Sequence, residues 1–230
     1  MIGRNDEAEP LTFAVGPLHR VSGLIVLPER PLALYVLAHG AGAGMAHPFL
    51  ATMAVALAER GIATLRYQFP YMEAGSRRPD TPVVAHAAVR AAVAEAGRRA
   101  PGLPLIAGGK SFGGRMTSQA EAVEPLPGVA GLAFLGFPLH PPGKPGDERG
   151  THLADVKVPM LFLQGTRDEF ADHGLIEPLC RRLGDRATLH LVEGANHAFK
   201  VPARSGRKDA DVRAELADAL VAWAGEILAK

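Results

Sequence analysis

The chain has one cysteine, Cys180, among its 230 residues. No disulfide can close within it, and no cluster of thiolate metal ligands can be assembled from it. Cys180 falls in Glu177-Pro178-Leu179-Cys180 on an expected helix, away from any glycine-rich turn, and is read as a small buried hydrophobe. Net charge is also scarce. Lys plus Arg number 25 against 24 Asp plus Glu, so no field of one sign is available to concentrate nucleic acid or anionic lipid. Neither partner is expected. The basic pairs Arg98-Arg99 and Arg181-Arg182 are short and fall on expected helices, where a solvated face accounts for them. No apolar run reaches the length of a membrane span. The first ten residues carry Asp6, Glu7 and Glu9 where a secretion signal needs a basic start and then an apolar run, so the expected compartment is the cytoplasm.

What the chain does have is enough apolar residue, 47%, with 21% charged, to build a sizeable core, and the expectation is one domain over residues 1–230. From Leu32 onward, runs rich in Val, Ile and Leu alternate with helical patterns, the mark of a mostly parallel, twisted sheet with helices on both faces. Before that, Leu11 to Gly16 and Val21 to Leu27 predict an antiparallel hairpin at a sheet edge. Further strands are expected at Leu32 to Ala38, Ile62 to Tyr67, Leu103 to Ala107, Val129 to Leu135, Met160 to Gln164 and Thr188 to Val192. Helices are expected at Pro48 to Arg60 and from Pro82 to about Ala100. In the last helix Val212, Leu216, Leu220, Trp223 and Ile227 make one apolar stripe that should dock on the sheet. No inserted block is large enough for a separate cap domain.

The chemistry centres on Gly109-Lys110-Ser111-Phe112-Gly113, a Gly-x-Ser-x-Gly motif placed after a buried strand and before helix-permissive residues. A serine on so sharp a turn sits in strained backbone space, and the residues two before and two after it must be small to avoid Cβ collisions. Candidate partners follow in the order acid then histidine. Asp168 comes after the Met160 to Gln164 strand and His197 after the Thr188 to Val192 strand, each separation leaving room for about one strand–helix unit. In this reading Ser111 is the nucleophile, His197 its general base, and Asp168 the carboxylate that fixes the imidazole tautomer. Asp172 is a minor alternative for the acid. An oxyanion hole would take one backbone N–H from Phe112 and one from the loop His39-Gly40-Ala41-Gly42, with Ala41 ahead of Gly42. Gly42, Phe69, Tyr71, Phe137 and His140 are candidates for the pocket wall, with Met72 and Phe170 beside them.

Most of the chain, from about Leu32, resembles the small, lidless α/β hydrolases related to dienelactone hydrolases and carboxylesterases. The resemblance rests on His39-Gly40-Ala41-Gly42, Gly109 to Arg115, Leu135 to Pro145, Gln164-Gly165-Thr166-Arg167-Asp168 and Gly194-Ala195-Asn196-His197. The same pieces resemble a branch that includes eukaryotic testis-expressed and chromatin-complex-associated proteins. The resemblance implies the α/β-hydrolase fold and the serine, acid and histidine roles given above. It does not carry the dienelactone reaction, because serine stands here where dienelactone hydrolases have cysteine.

Other readings are weaker. A phosphate-binding P-loop at Gly109-Lys110-Ser111 needs a glycine where Pro104 stands, and the dinucleotide motif fails at Met45. The nine histidines include no His-x-x-x-His pair with a third ligand nearby, so neither a metal nor any other cofactor is expected. The expectation is a serine esterase acting on a small-molecule ester through an acyl-enzyme. The reading from a different class is a catalytically inactive hydrolase fold serving as an interaction module.

Overall fold

The computed structural model describes residues 8–229. The acidic start that bears on secretion lies largely in 1–7, outside the described residues. An eight-stranded sheet runs in the order β1-β2-β4-β3-β5-β6-β7-β8. The strands are β1 (Glu9–Val15), β2 (His19–Val26), β3 (Ala33–Ala38), β4 (Ile62–Tyr67), β5 (Leu105–Lys110), β6 (Val129–Leu135), β7 (Met160–Gly165) and β8 (Ala187–Val192). β1 and β2 form the antiparallel edge hairpin, β2 joins β4 antiparallel, and all other pairings are parallel.

Alternating residues along the strands divide the core between two faces. On one, Tyr35 and Leu37 of β3 pack with Leu50, Met53 and Leu57 of α1 (Pro48–Ala58) and with α6 (Asp209–Leu228). On the other, Leu34 and Val36 pack with Ala88, Val89 and Ala92 of α3 (Pro82–Arg99), with Met116 of α4 (Phe112–Val123) and, through the shared core, with Ile176 of α5 (His173–Leu183). The α6 stripe docks as its spacing predicts: Val212, Leu216, Leu220 and Trp223 are buried and Ile227 packs against them. Cys180 is buried on α5.

Three features depart from the sequence expectation. β5 runs past Ala107 through Gly108 and Gly109 to Lys110, because both glycines keep the ladder to β3 and β6. A short helix, α2 (Pro70–Glu73), folds between β4 and α3, where the sequence reading places neither strand nor helix. The Pro/Gly-rich segment after β6 leads into a 3-10 helix, Glu148–Asp155, with no counterpart in the sequence reading.

The order of the strands positions the site. The chain steps from β3 outward to β4, then returns to lay β5 on the other side of β3. That reversal leaves a crevice beyond the carboxyl ends of β3 and β5, where ligands bind in open α/β sheets. The loop His39 to Gly44 leaves β3 there and Ser111 leaves β5 there.

Candidate active site

Ser111 occupies the one-residue turn between β5 and α4 with φ +51 and ψ −115, a conformation that L-residues rarely adopt. The glycines around it are needed mainly against the neighbouring strands rather than against each other. A Cβ on Gly109 would lie 2.8 Å from Ala38 Cβ, and one on Gly113 would lie 2.7 Å from the same atom and 2.6 Å from His39 O. A Cβ on Gly108 would collide with the Ala133 backbone of β6. Only Gly114, whose Cβ would fall 2.8 Å from Gly109 O, meets an obstruction inside the turn itself.

The turn aims Ser111 Oγ at His197 Nε2, 2.9 Å away. His197 Nδ1 lies 2.8 Å from Asp168 Oδ2 and 3.0 Å from Oδ1. Asp168 is buried, and both its oxygens have a second donor: Gln164 Nε2 donates to Oδ2 at 2.6 Å and Phe170 N to Oδ1 at 2.8 Å. Gln164 is itself locked, its Oε1 accepting from Phe137 N at 2.8 Å. A carboxylate held this way keeps the proton on His197 Nδ1 and turns the lone pair of Nε2 toward the serine hydroxyl. Asp172, the alternative acid, caps α5 by accepting from Gly174 N at 2.8 Å and makes no bond to His197.

Ala41 and Phe112 border a cleft at Ser111. Neither Ala41 N nor Phe112 N finds an acceptor among the described residues. Gly42 N is occupied by Tyr71 Oη at 2.8 Å, which separates Gly42 from Ala41 as a donor. Beneath that loop His39 is fully buried, with Nε2 accepting from Phe69 N at 3.1 Å and Nδ1 donating to Gly40 O at 2.7 Å. Burial pushes its pKa down to about 4, so it stays neutral and structural at physiological pH.

Several residues expected on the pocket wall are elsewhere. Phe69 is fully buried, its ring edge-on to His39 at 5.0 Å and to Phe112 at 5.3 Å. Phe137 is fully buried against Phe134 at 5.1 Å and Phe162 at 5.8 Å. Tyr71 is buried and serves the Gly42 loop. His140 does not reach the cleft: Nε2 accepts from Asp172 N and Nδ1 donates to Pro141 O, both at 2.9 Å, tying two loops together. Each ring lost its place on the wall because burying it gained more than exposing it. Phe170 does line the cleft, 4.3 Å from the His197 ring. Two clefts meet at Ser111, one of about 330 Å³ beside Phe49 and Leu50 and one of about 370 Å³ beside Arg115 and Arg149. Another serine–histidine contact, Ser118 Oγ to His152 Nε2 at 2.7 Å, lies in mid-helix with Ser118 buried and no carboxylate bonded to the imidazole among the described residues.

The alpha/beta hydrolase domain family matches residues 31–225. The chain belongs to that family. Among solved structures, an α/β serine hydrolase without a lid from Xanthomonas campestris is similar at 23% identity and TM-score 0.74, covering 94% of this chain and 95% of its own. A dienelactone hydrolase from Anabaena variabilis matches at 19% identity and TM-score 0.74 over 95% and 97% of the two chains. Est1E from Butyrivibrio proteoclasticus, determined with ferulic acid bound, matches at 14% identity and TM-score 0.69 over 96% and 100%. These likenesses are likenesses of fold.

Three residues of this α/β hydrolase bear on the site without a signal that sequence reading used. Gln164 looks like any strand residue until its contact with Asp168 is seen. Lys110 Nζ donates to the carbonyl oxygen of His197 at 2.6 Å and sits 5.3 Å from the Phe199 ring centroid. Burial lowers its pKa to about 8, partly offset by the charges of Asp168 and Glu169. Gly136, at φ +71, leaves the space under the acid and the histidine: a Cβ there would lie 2.9 Å from Lys110 Nζ and 3.4 Å from both Asp168 Oδ2 and His197 Nδ1. The glycine in Leu135-Gly136-Phe137 was the only visible hint.

Proposed function

We propose that this chain is a serine esterase that cleaves a small-molecule ester through an acyl-enzyme, with Ser111 as nucleophile, His197 as general base and Asp168 as the orienting acid. The observation that carries the reading is the unbroken line of hydrogen bonds from Ser111 Oγ through the His197 ring to Asp168, at 2.9 and 2.8 Å. His197 Nε2 takes the hydroxyl proton as Ser111 Oγ attacks the ester carbonyl carbon. The oxyanion that forms is met by the N–H groups of Ala41 and Phe112, neither of which is committed to another acceptor among the described residues. Collapse breaks the bond to the alcohol oxygen, and His197 returns the proton to that leaving group. Water then repeats the sequence on the acyl-enzyme and releases the acid. A cytoplasmic setting, and kinship with the testis-expressed and chromatin-complex-associated branch through the five matching segments together, belong to the same proposal.

Labelling by a fluorophosphonate probe and hydrolysis of p-nitrophenyl esters of graded acyl length test it together. Ser111→Ala is expected to abolish labelling and to cost about a thousandfold or more in kcat. His197→Ala should cost nearly as much, and the double variant little more, because the residues act as a unit. The melting temperature of Ser111→Ala should barely move, since alanine bears the same positive-φ strain as serine. An unlabelled wild type with no esterase activity, or Ser111→Ala turning over esters at the wild-type rate, would overturn the assignment.

A further inference from the structure

The cleft on the α4 side of Ser111 contains two cations, Arg115 and Arg149, whose side chains have no partner among the described residues. Arg115 lies one helical turn beyond the serine, its backbone N–H donating to Ser111 O at 3.1 Å, and Arg149 reaches the same cleft from the Glu148–Asp155 helix. Among the described residues neither guanidinium makes an ion pair or donates a hydrogen bond, and Arg115 Nε is buried with no acceptor. Three other half-buried arginines hold carboxylates: Arg60 holds Asp218 at 2.6 Å, Arg90 holds Glu124 at 3.6 Å, and Arg207 pairs with Glu215. Buried Arg66 and half-buried Arg186 donate to backbone carbonyls, while Arg213, like Arg115 and Arg149, has no side-chain partner among the described residues. Burying a cation without a counter-ion is costly, so the arrangement is unexplained by the fold.

Among the described residues no carboxylate pairs with either guanidinium, although Asp155 acts on the neighbouring His152. His152, close to Arg115, is kept neutral, its pKa lowered to about 4 by burial and by that arginine's charge. Burial and the charge of Arg149 both lower the pKa of Arg115 in turn. One carboxylate, Asp80, shares the cleft, but one of its oxygens accepts from Tyr71 N at 3.1 Å, and neither arginine pairs with it. Two guanidiniums against one carboxylate leave the cleft positive. The cleft on the opposite side of the serine has a more apolar wall, Phe49, Leu50, Ala43 and Ala198, with His47 and Lys110 also on it, and there the ammonium is spent on the His197 carbonyl oxygen.

We propose that the Arg115–Arg149 cleft binds a carboxylate carried by the substrate, so that the preferred ester has a negative charge on one side of the scissile bond and a compact apolar group on the other. The proposal rests on the reading of Ser111 as nucleophile. Guanidinium forks match carboxylates in planar, two-point fashion, and two of them at one cleft bind an anion more selectively than a lone surface cation does. The charge can sit on either the acyl or the alcohol portion, and the probes separate these.

The experiment compares kcat/KM for the shared scissile ester within two pairs that differ in charge: p-nitrophenyl glutarate monoanion against p-nitrophenyl pentanoate, and 4-acetoxybenzoate against its methyl ester, followed by release of the phenol. In the wild type the anionic member of at least one pair is expected to be favoured by about tenfold or more. That ratio should fall toward one in Arg115→Gln and in Arg149→Gln, the second being the less buried change, and should shrink as salt is raised. Ratios at or below one for both pairs, with neutral esters still hydrolysed, would overturn this inference and leave the esterase reading standing. So would ratios that neither variant moves. If no ester is turned over and Ser111 is not labelled, the esterase reading fails, and calorimetric titration with glutarate decides the anion site alone. Saturable binding weakened at least tenfold in Arg149→Gln supports it, and no binding by the wild type overturns it.

Discussion

The turn that carries Ser111 and the turn that carries His197 meet at one hydrogen bond, yet different forces hold them. The serine turn, Gly108 to Gly114, is pressed between two strands, and backbone or Cβ atoms of Ala38, His39 and Ala133 stand where its side chains would go. The histidine turn, Glu193 to Lys200, presses on β7 at one point, where a Cβ on Gly165 would collide with the Ala195 backbone. Beyond Ala195 it is held by hydrogen bonds, from its own backbone and from side chains. Asn196 Oδ1 accepts from Ala198 N at 3.1 Å and Lys200 N at 2.9 Å, and Lys110 bonds the His197 carbonyl from β5. Phe199 takes φ +58 inside this turn, and its ring stacks on Phe49 at 5.7 Å. Where backbone meets backbone the residue type is dictated locally. Where side chains tether a loop, the tether can come from anywhere in the chain.

The comparison breaks most visibly at Gly109. Gly109→Ala puts a methyl group 2.8 Å from Ala38 Cβ, at φ +149, with strands on both sides that cannot move apart without breaking the ladder. The expected loss is about 3 kcal/mol or more of unfolding free energy, measured by urea denaturation, as for overpacking combined with a strained backbone. A loss below about 1 kcal/mol would mean that the serine turn is no more rigid than its counterpart.

Lys110 sharpens the comparison from the other side, because it tethers the histidine turn at a cost. Its pKa is depressed from 10.5 to about 8, so the folded protein releases this proton more readily than the unfolded chain does. Between pH about 8 and 10.5 the unfolded state binds more protons, and stability therefore rises with pH across that window. Below about 8 the full desolvation cost is present. Lys110→Met removes the cost and the tether together. Its urea midpoint should be lower relative to the wild type at pH 10.5 than at pH 7, while kcat falls by about tenfold as His197 loses its backbone anchor. Parallel stability profiles for the two proteins would show that Lys110 carries no such penalty.

The same division explains what the sequence disclosed. The alternation of strands and helices, the edge hairpin and the α6 stripe are local patterns of burial, and period alone makes them legible. Ser111 announces itself through glycines that close packing requires, and Asp168 and His197 through their places after successive strands. Lys110 and Gly136 act across the sheet, so no spacing along the chain betrays them, and Gln164, four residues before Asp168, has nothing in its residue type or spacing that marks the contact. Phe69, Tyr71 and Phe137 misled for a related reason. Aromatic residues in a loop near an active site suggest a wall, but on a small, capless sheet the same rings are needed to seal the core beneath the loops. The Glu148–Asp155 helix was hidden because a Pro/Gly-rich approach carries no helical period.

The smallest expected effect separates the two turns most cleanly. Asn196→Ala removes one acceptor that satisfies two backbone N–H groups, at Ala198 and Lys200, while creating no clash and no buried charge. Both donors lie on residues exposed to solvent, so water can replace the lost oxygen. The cost in unfolding free energy should be about 1 kcal/mol, well under that of Gly109→Ala. The rate should respond out of proportion. Phe199 holds its left-handed backbone only because the surrounding bonds fix it, and relaxing that residue lets His197, two positions earlier, drift from Ser111. We expect kcat to fall several-fold with KM little changed, since Ala41, Phe49 and Phe170 still bound the cleft. A variant with wild-type kcat and the same 1 kcal/mol loss would show that Asn196 stabilises the turn without positioning the histidine. One with a stability loss as large as that of Gly109→Ala would erase the distinction between a turn held by packing and a turn held by tethers.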